Sequence, residues 1–152
     1  MTKVRNALDV KKTPKAWGFE EQFYNENYGL KALCLTEKNV ACSIHFHAVK
    51  TETFYVLAGA VTLEIYEIRM RVCGAQWFEA EDLRSGGLKY FCKPKRHILR
   101  CDDFVTLLPG TAHRFWSPFG NGHILEASSY DDPADSYRIV PAGPAPKGFQ
   151  LR

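Results

Sequence analysis

His45-Phe46-His47-Ala48-Val49-Lys50-Thr51-Glu52-Thr53-Phe54-Tyr55-Val56-Leu57-Ala58-Gly59 is the stretch whose reading decides the fold. In an extended strand residues i and i+2 share a face about 6.6 Å apart, so His45 and His47 project together while Phe46 points the other way. Four residues, Ala48 to Thr51, are enough to turn the chain, and Glu52 then opens the next strand with its carboxylate aimed at the same point. A third imidazole, His113, follows Leu108-Pro109-Gly110-Thr111-Ala112, where the Pro-Gly bend lifts a strand-end side chain into the cavity. Three imidazoles and one carboxylate make a ligand set for one divalent ion. Neutral nitrogen with hard oxygen suits Mn, Fe, Zn, Ni or Co and does not choose among them.

With 152 residues, 45% of them hydrophobic and 13% aromatic, the chain has material for one core. Its formal charge of +3, from 20 basic and 17 acidic residues, is too mild for an electrostatic nucleic-acid binder. The five cysteines are odd in number, form no C-x-x-C pair and follow no secretory signal, which predicts a reduced, cytoplasmic protein. Cys42 has the opposite strand parity to the histidines and reads as a small core residue. No apolar run approaches the roughly 18 to 20 residues needed to cross a bilayer, so no membrane partner is expected.

Residues 1–15 are polar and read as an N-terminal arm, residues 16–140 as the folded body and residues 141–152 as a tail. Short apolar runs recur at Gly29 to Leu35, Ala41 to His47, Glu52 to Leu57, Ala60 to Ile68, Phe104 to Leu107, Ala112 to Trp116 and His123 to Ser128, separated by turn residues. That rhythm predicts an all-β sandwich or barrel. Residues 69–95 break it and read as an insertion, either a lid, a dimer arm or an irregular surface loop. Between Glu52 and Leu57 both faces are largely apolar, the second carrying Thr53, Tyr55 and Leu57. A solvated outer face alternates polar residues, so this face predicts a cover, either the N-terminal segment or a second subunit, and a homodimer is the favoured one.

The spacing resembles the two signatures of the cupin superfamily. His45-x-His47, Glu52 and Gly59 match the end of the first motif, and Gly110 and His113 match the second, with Leu108 at the usual proline and Ser117 at the usual asparagine. Asn39 and Asp102 stand where turn glycines are usual, and these two residue types tolerate a left-handed backbone best. The resemblance implies a jelly-roll β-barrel, with the insertion between its two metal-binding motifs, and a metal held by His45, His47, Glu52 and His113. Pro14-Lys15-Ala16-Trp17-Gly18-Phe19-Glu20, His113-Arg114-Phe115 and the tail residues Glu126, Asp131-Asp132 and Tyr137-Arg138-Ile139 are further similar to small sugar-phosphate cupins and the cupin domain of type II phosphomannose isomerases.

That second resemblance implies a metal-assisted aldose-ketose isomerase with a small carbohydrate substrate. Such chemistry needs a general base. Glu126, between Ile124, Leu125 and Ala127, is the candidate, because an apolar setting raises a carboxyl pKa toward a working value. Lys50 reads either as a solvated turn lysine or as a group that polarises a substrate oxygen, and Arg138, which matches the family's C-terminal arginine, either as a bidentate phosphate clamp or as a surface residue. Glu64 and Tyr66 read as barrel residues, and His97 and His123 as isolated histidines without metal spacing. Two rivals use the same ligand set, an iron-dependent cupin dioxygenase and a non-enzymatic sugar- or effector-binding cupin.

Overall fold

Strand parity sorts the side chains between two facing sheets. The computed structural model describes residues 4, 6, 9–68 and 79–147. The six-stranded sheet has the order β1 (Lys12–Lys15), β2 (Gly18–Asn25), β3 (Gly29–Leu35), β11 (Gly122–Ser128), β6 (Glu52–Ala58) and β9 (Phe104–Leu107). The five-stranded sheet has the order β12 (Tyr137–Val140), β5 (Ile44–Phe46), β10 (Ala112–Trp116), β7 (Ala60–Tyr66) and β8 (Lys95–Arg100). A small third ladder pairs β13 (Gly143–Pro144) with β4 (Val40–Ala41). The pairings within these ladders are antiparallel, and the architecture is a jelly-roll sandwich whose two sheets are, among the described residues, separate ladders.

Between the sheets lie Trp17, Leu33, Leu35, Phe54, Val56, Leu63, Phe115 and Ile124, all buried in one cluster. Each such large side chain contributes about 1.5–3 kcal/mol when removed from water. Trp17 meets Phe115 edge to face at 5.5 Å, and Phe115 meets Phe54 in the same way at 5.6 Å. Cys42 is buried in this cluster as a core residue, but on the same inner side as the histidines, because the break at Cys42-Ser43 between β4 and β5 resets the strand parity.

A second cluster forms on the opposite side of the five-stranded sheet. Phe46, which alternates with the two histidines, packs there with Ile44, Tyr66, Ala112, Leu83 and Phe91. Leu83 belongs to the short helix α1 (Ala80–Ser85), and Phe91 ends a 3₁₀ turn over Gly87–Tyr90. The described part of the insertion is therefore an apolar cover on the outer face of this sheet, neither a lid over the cavity nor an irregular loop. Residues 69–78, the rest of its expected first part, lie outside the described residues. Among the described residues no helix is long and apolar enough to cross a membrane, which does not bear on strands.

The long strands fall close to their expected positions. The run Ala41 to His47 is broken at Cys42-Ser43 into β4 and β5, and His47 stands one residue beyond β5. Five strands lie outside the expected apolar runs: β1, inside the expected arm, β2, β8, β12 and β13. β1, β8 and β12 are sheet edges, with at most one covered flank, so polar sequences such as Lys12-Thr13-Pro14-Lys15 serve there.

Backbone geometry at the turns agrees with the residue types. Asn39 and Asp102 have φ of 56° and 72°, the left-handed values their side chains tolerate. Gly59, between β6 and β7, has φ 73°, and a Cβ there would lie 2.0 Å from the Asn121 carbonyl oxygen. Both the left-handed strain and a clash with backbone act at this position, so Gly59→Ala is expected to lose more than about 2 kcal/mol of unfolding free energy in a denaturant titration.

Candidate functional site

The two inner faces enclose a cavity of about 330 Å³. Its histidines come from one sheet and its carboxylates mainly from the other. Pairing of β5 with β10 sets His45 directly opposite His113, with ring centroids 4.5 Å apart. The His47 ring lies 5.4 Å from that of His45 and 6.4 Å from that of His113. Glu52, the first residue of β6, reaches across from the six-stranded sheet: Oε1 is 3.1 Å from His113 Nε2, and Oε2 is 3.8 Å from His47 Nε2.

The outer nitrogens of the three rings are fixed alike. Nδ1 donates to a backbone carbonyl in each: His45 to Ser43 at 2.9 Å, His47 to Asp135 at 2.8 Å and His113 to Thr111 at 3.0 Å. A carbonyl only accepts, so the proton of a neutral ring stays on Nδ1 and the lone pair stays on Nε2. Burial lowers His45 to about 3, helped by His113 and His47, and burial likewise lowers His47. Both are neutral at physiological pH, the form a metal requires. For His113 burial acts downward too, but the Glu52 carboxylate outweighs it and the net shift is upward.

His113 Nε2 is buried without a hydrogen-bond partner, although Glu52 Oε1 faces it at 3.1 Å. Two acceptors facing one another require a cation between them, either a proton or a metal. The donor types and the orphaned nitrogen fit a divalent ion. The side chains are not drawn into a finished cluster, since among the described residues no group of three His, Cys, Asp or Glu meets metal-binding spacing. The second oxygen of Glu52 is held by Lys50 Nζ at 3.0 Å.

Lys50 is 4% exposed and its ammonium touches three carboxylates. Glu126 Oε1 lies at 2.6 Å, Glu52 Oε2 at 3.0 Å and Asp131 Oδ1 at 3.0 Å. A second buried lysine, Lys31, lies 2.5 Å from Asp131 and 3.7 Å from Glu126. Burial acts against the charge on Lys50, but Glu126, Glu52 and Asp131 outweigh it and its pKa is raised. For Glu52, His113 and Lys50 outweigh burial and hold the carboxyl well below its usual range. Glu126 is raised, because burial and the nearby Glu52 charge outweigh the opposing pull of Lys31 and Lys50. Two ammoniums face three carboxylates, so one negative charge is in excess, and Glu126 carries the consequence.

Each residue singled out in the sequence can now be located. His45, His47, Glu52, Lys50 and Glu126 line one cavity, and His113 reaches it through Glu52. Arg138 lies opposite His45 in the β12–β5 ladder; it is exposed and lines the cavity wall. Glu64 and Tyr66 belong to the outer face, where buried Glu64 accepts from Arg96, Arg114 and the Tyr66 hydroxyl. His97 and His123 are exposed. Sequence reasoning missed Lys31, which lies directly across from Glu126, and Asp135. Lys31 shares strand parity with Leu33 and Leu35, so a lysine on the buried face was its available signal.

A jelly-roll sandwich with a His, His, Glu, His arrangement across its inner faces defines a cupin. The profile of the D-lyxose isomerase family matches residues 15–147, and the chain belongs to that family, which has the cupin fold. No curated protein matches the sequence. Among solved structures, CapF from Staphylococcus aureus, a capsular polysaccharide assembling protein, matches with TM-score 0.62 and 11% identity over 86% of this chain and 32% of its own. KdgF from Halomonas sp. matches with TM-score 0.62 and 9% identity over 88% of this chain and 98% of its own. Oxalate decarboxylase from Bacillus subtilis matches with TM-score 0.63 and 12% identity over 91% and 33%. The chain thus spans about a third of the length of CapF and of oxalate decarboxylase. At these identities the structures speak for the fold, and one fold hosts many functions.

Because Lys50 neutralises buried carboxylates, its removal strands them. Lys50→Met is expected to cost about 3 kcal/mol. Lys50→Met combined with Glu126→Gln should cost at least about 1 kcal/mol less than the sum of the single changes, read from denaturant unfolding as a double-mutant cycle.

Proposed function

We propose that this protein is a metal-dependent sugar isomerase that interconverts an aldose and a ketose. The observation that carries the proposal is the juxtaposition of three Nδ1-anchored histidines and Glu52 with the buried Lys50–Glu126 pair in one cavity. Membership of the D-lyxose isomerase family supports a carbohydrate substrate. His45, His47, Glu52 and His113 would hold the ion, one of Mn, Fe, Zn, Ni or Co. The Bacillus subtilis oxalate decarboxylase that shares the fold has Mn(II) centers. A divalent ion in such a set supplies Lewis acidity to substrate oxygens.

The chain's own residues account for the proton movements. Glu126, as its carboxylate, takes the proton from C2 of the aldose, which leaves an enediolate across C1 and C2 with its charge on O1, and returns the proton to C1. The O2 hydroxyl proton passes to O1, so the aldehyde becomes a primary alcohol and C2 becomes the ketone carbon. A raised pKa makes Glu126 a stronger base than an ordinary carboxylate, closer to the optimum at neutral pH. Lys50 orients Glu126 through the 2.6 Å contact, and its positive charge stabilises the substrate oxygen that gains charge. Arg138, the cross-strand neighbour of His45 on the same sheet, lines the cavity and is suited to substrate oxygens, where its planar fork can take hydroxyl or phosphate groups.

The outer face of the six-stranded sheet supports a homodimer. Leu57 and Phe104 are 47% and 70% exposed there, beside half-buried Thr53 and Tyr55. A second copy would bury about 1,200 Å² or more in total. Light scattering should give twice the chain mass at micromolar concentration, and a monomer mass at high micromolar concentration would remove the dimer from the proposal.

Protein purified without chelator is expected to contain close to one divalent ion per chain, and His45→Ala, His47→Ala or His113→Ala to lose it. With pentoses and hexoses, free and phosphorylated, Glu126→Gln should lower turnover by about 10²- to 10⁴-fold while metal content is unchanged. Turnover at the wild-type rate would remove Glu126 as the base. Substrate-dependent oxygen consumption would instead mark a dioxygenase, and ligand binding without turnover an effector-binding cupin.

A further inference from the structure

Asp135 makes two sets of contacts that the isomerase reading leaves unused. Its carboxylate accepts from three consecutive backbone N–H groups: Ala48 at 2.7 Å, Val49 at 3.1 and 3.2 Å, and Lys50 at 2.9 Å. Its own carbonyl accepts from His47 Nδ1 at 2.8 Å. One residue thus fixes the ring orientation of His47 and encloses the turn that leads from His47 to Lys50. Successive N–H groups around one anion form a concave cradle, and hydrogen bonds to a carboxylate are about twice as strong as neutral ones.

Apolar packing does not hold this turn. Ala48 is exposed and Val49 is 78% exposed. The remaining backbone tie at this end is the Gly110 N–H donating to the His47 carbonyl at 2.7 Å. Asp135 itself is set by a 3₁₀ turn over Pro133–Asp135, in which Asp132 Oδ1 accepts from the Ala134 N–H at 2.9 Å. The same loop carries Asp131, which contacts both buried lysines.

We propose that Asp135 is a positioning residue that couples the metal ligand His47 to the acid–base pair Lys50 and Glu126 by clamping residues 48–50 against the loop 131–136. The inference rests on the reading that the cavity binds a metal. A carboxylate is required because it offers acceptors to all three N–H groups. An asparagine offers one oxygen and turns an NH₂ donor toward the remaining N–H groups.

The test measures Co(II) binding to the full chain through the visible absorption of the bound ion, together with sugar turnover at saturating Co(II). Asp135→Ala is expected to weaken Co(II) binding by about 10- to 100-fold, the usual effect of losing a group that orients a ligand, and Asp135→Asn by less. Both should change the absorption bands and lower kcat in the same order. If the wild type binds Co(II) and a folded Asp135→Ala binds it with unchanged affinity and spectrum, the coupling is overturned and the metal reading stands. Should Asp135→Ala fail to fold, the near-isosteric Asp135→Asn decides by the same criterion. A wild type that binds no Co(II) removes the metal reading, and this inference with it.

Discussion

Two buried ammoniums facing three carboxylates are the constraint around which this molecule is organised. Lys31, Lys50, Glu52, Glu126 and Asp131 lie within a few ångströms of one another inside an all-β sandwich. Taking one such charge out of water costs several kcal/mol, so the cluster persists only because every member has an opposite charge in contact. The arrangement leaves one negative charge in excess, next to three histidines whose lone pairs face inward. A fold seeking stability alone would fill this space with apolar side chains, as it does a few residues away around Phe54 and Phe115. Retaining the charges keeps the cavity polar.

The sandwich supplies that arrangement through parity. Each strand presents every second residue to the interior, and the cross-strand ladder places Lys31, Glu126 and Phe54 side by side in β3, β11 and β6. The opposite sheet answers with His45 facing His113. The same alternation turns Phe46 away from the cavity, where the described part of the insertion covers it with Leu83 and Phe91. The described part of the insertion thus supports β5 from the side away from the cavity.

Much of the candidate site was legible in the chain because most of its residues sit at short spacings on or beside strands. His45 and His47 share parity, Glu52 begins the next strand, and Glu126 stands on the buried parity of β11. Lys31 carried the same kind of signal and was passed over, a charged residue among apolar neighbours being easily read as outward-facing. Asp135 carried none. It lies in a loop, and its role depends on three backbone N–H groups more than eighty positions away in the chain. Edge strands such as β1 were hidden for a related reason: a strand with one open flank need not be apolar.

By itself the sequence determined the alternation, the turn residues and the ligand types, because these depend on neighbours within a few positions. It predicted that His45, His47, Glu52 and His113 would stand on or beside β5, β6 and β10 and that Asn39 and Asp102 would tolerate left-handed turns. Tertiary structure alone decided which charges neutralise one another. Whether Lys50 is a solvated turn lysine or a buried cation depends on Glu126 and Asp131 arriving from distant segments. Whether the insertion is a lid or a cover depends on which face it packs against. Both are matters of distance through space and of local dielectric, and neither is encoded in any short window of the chain.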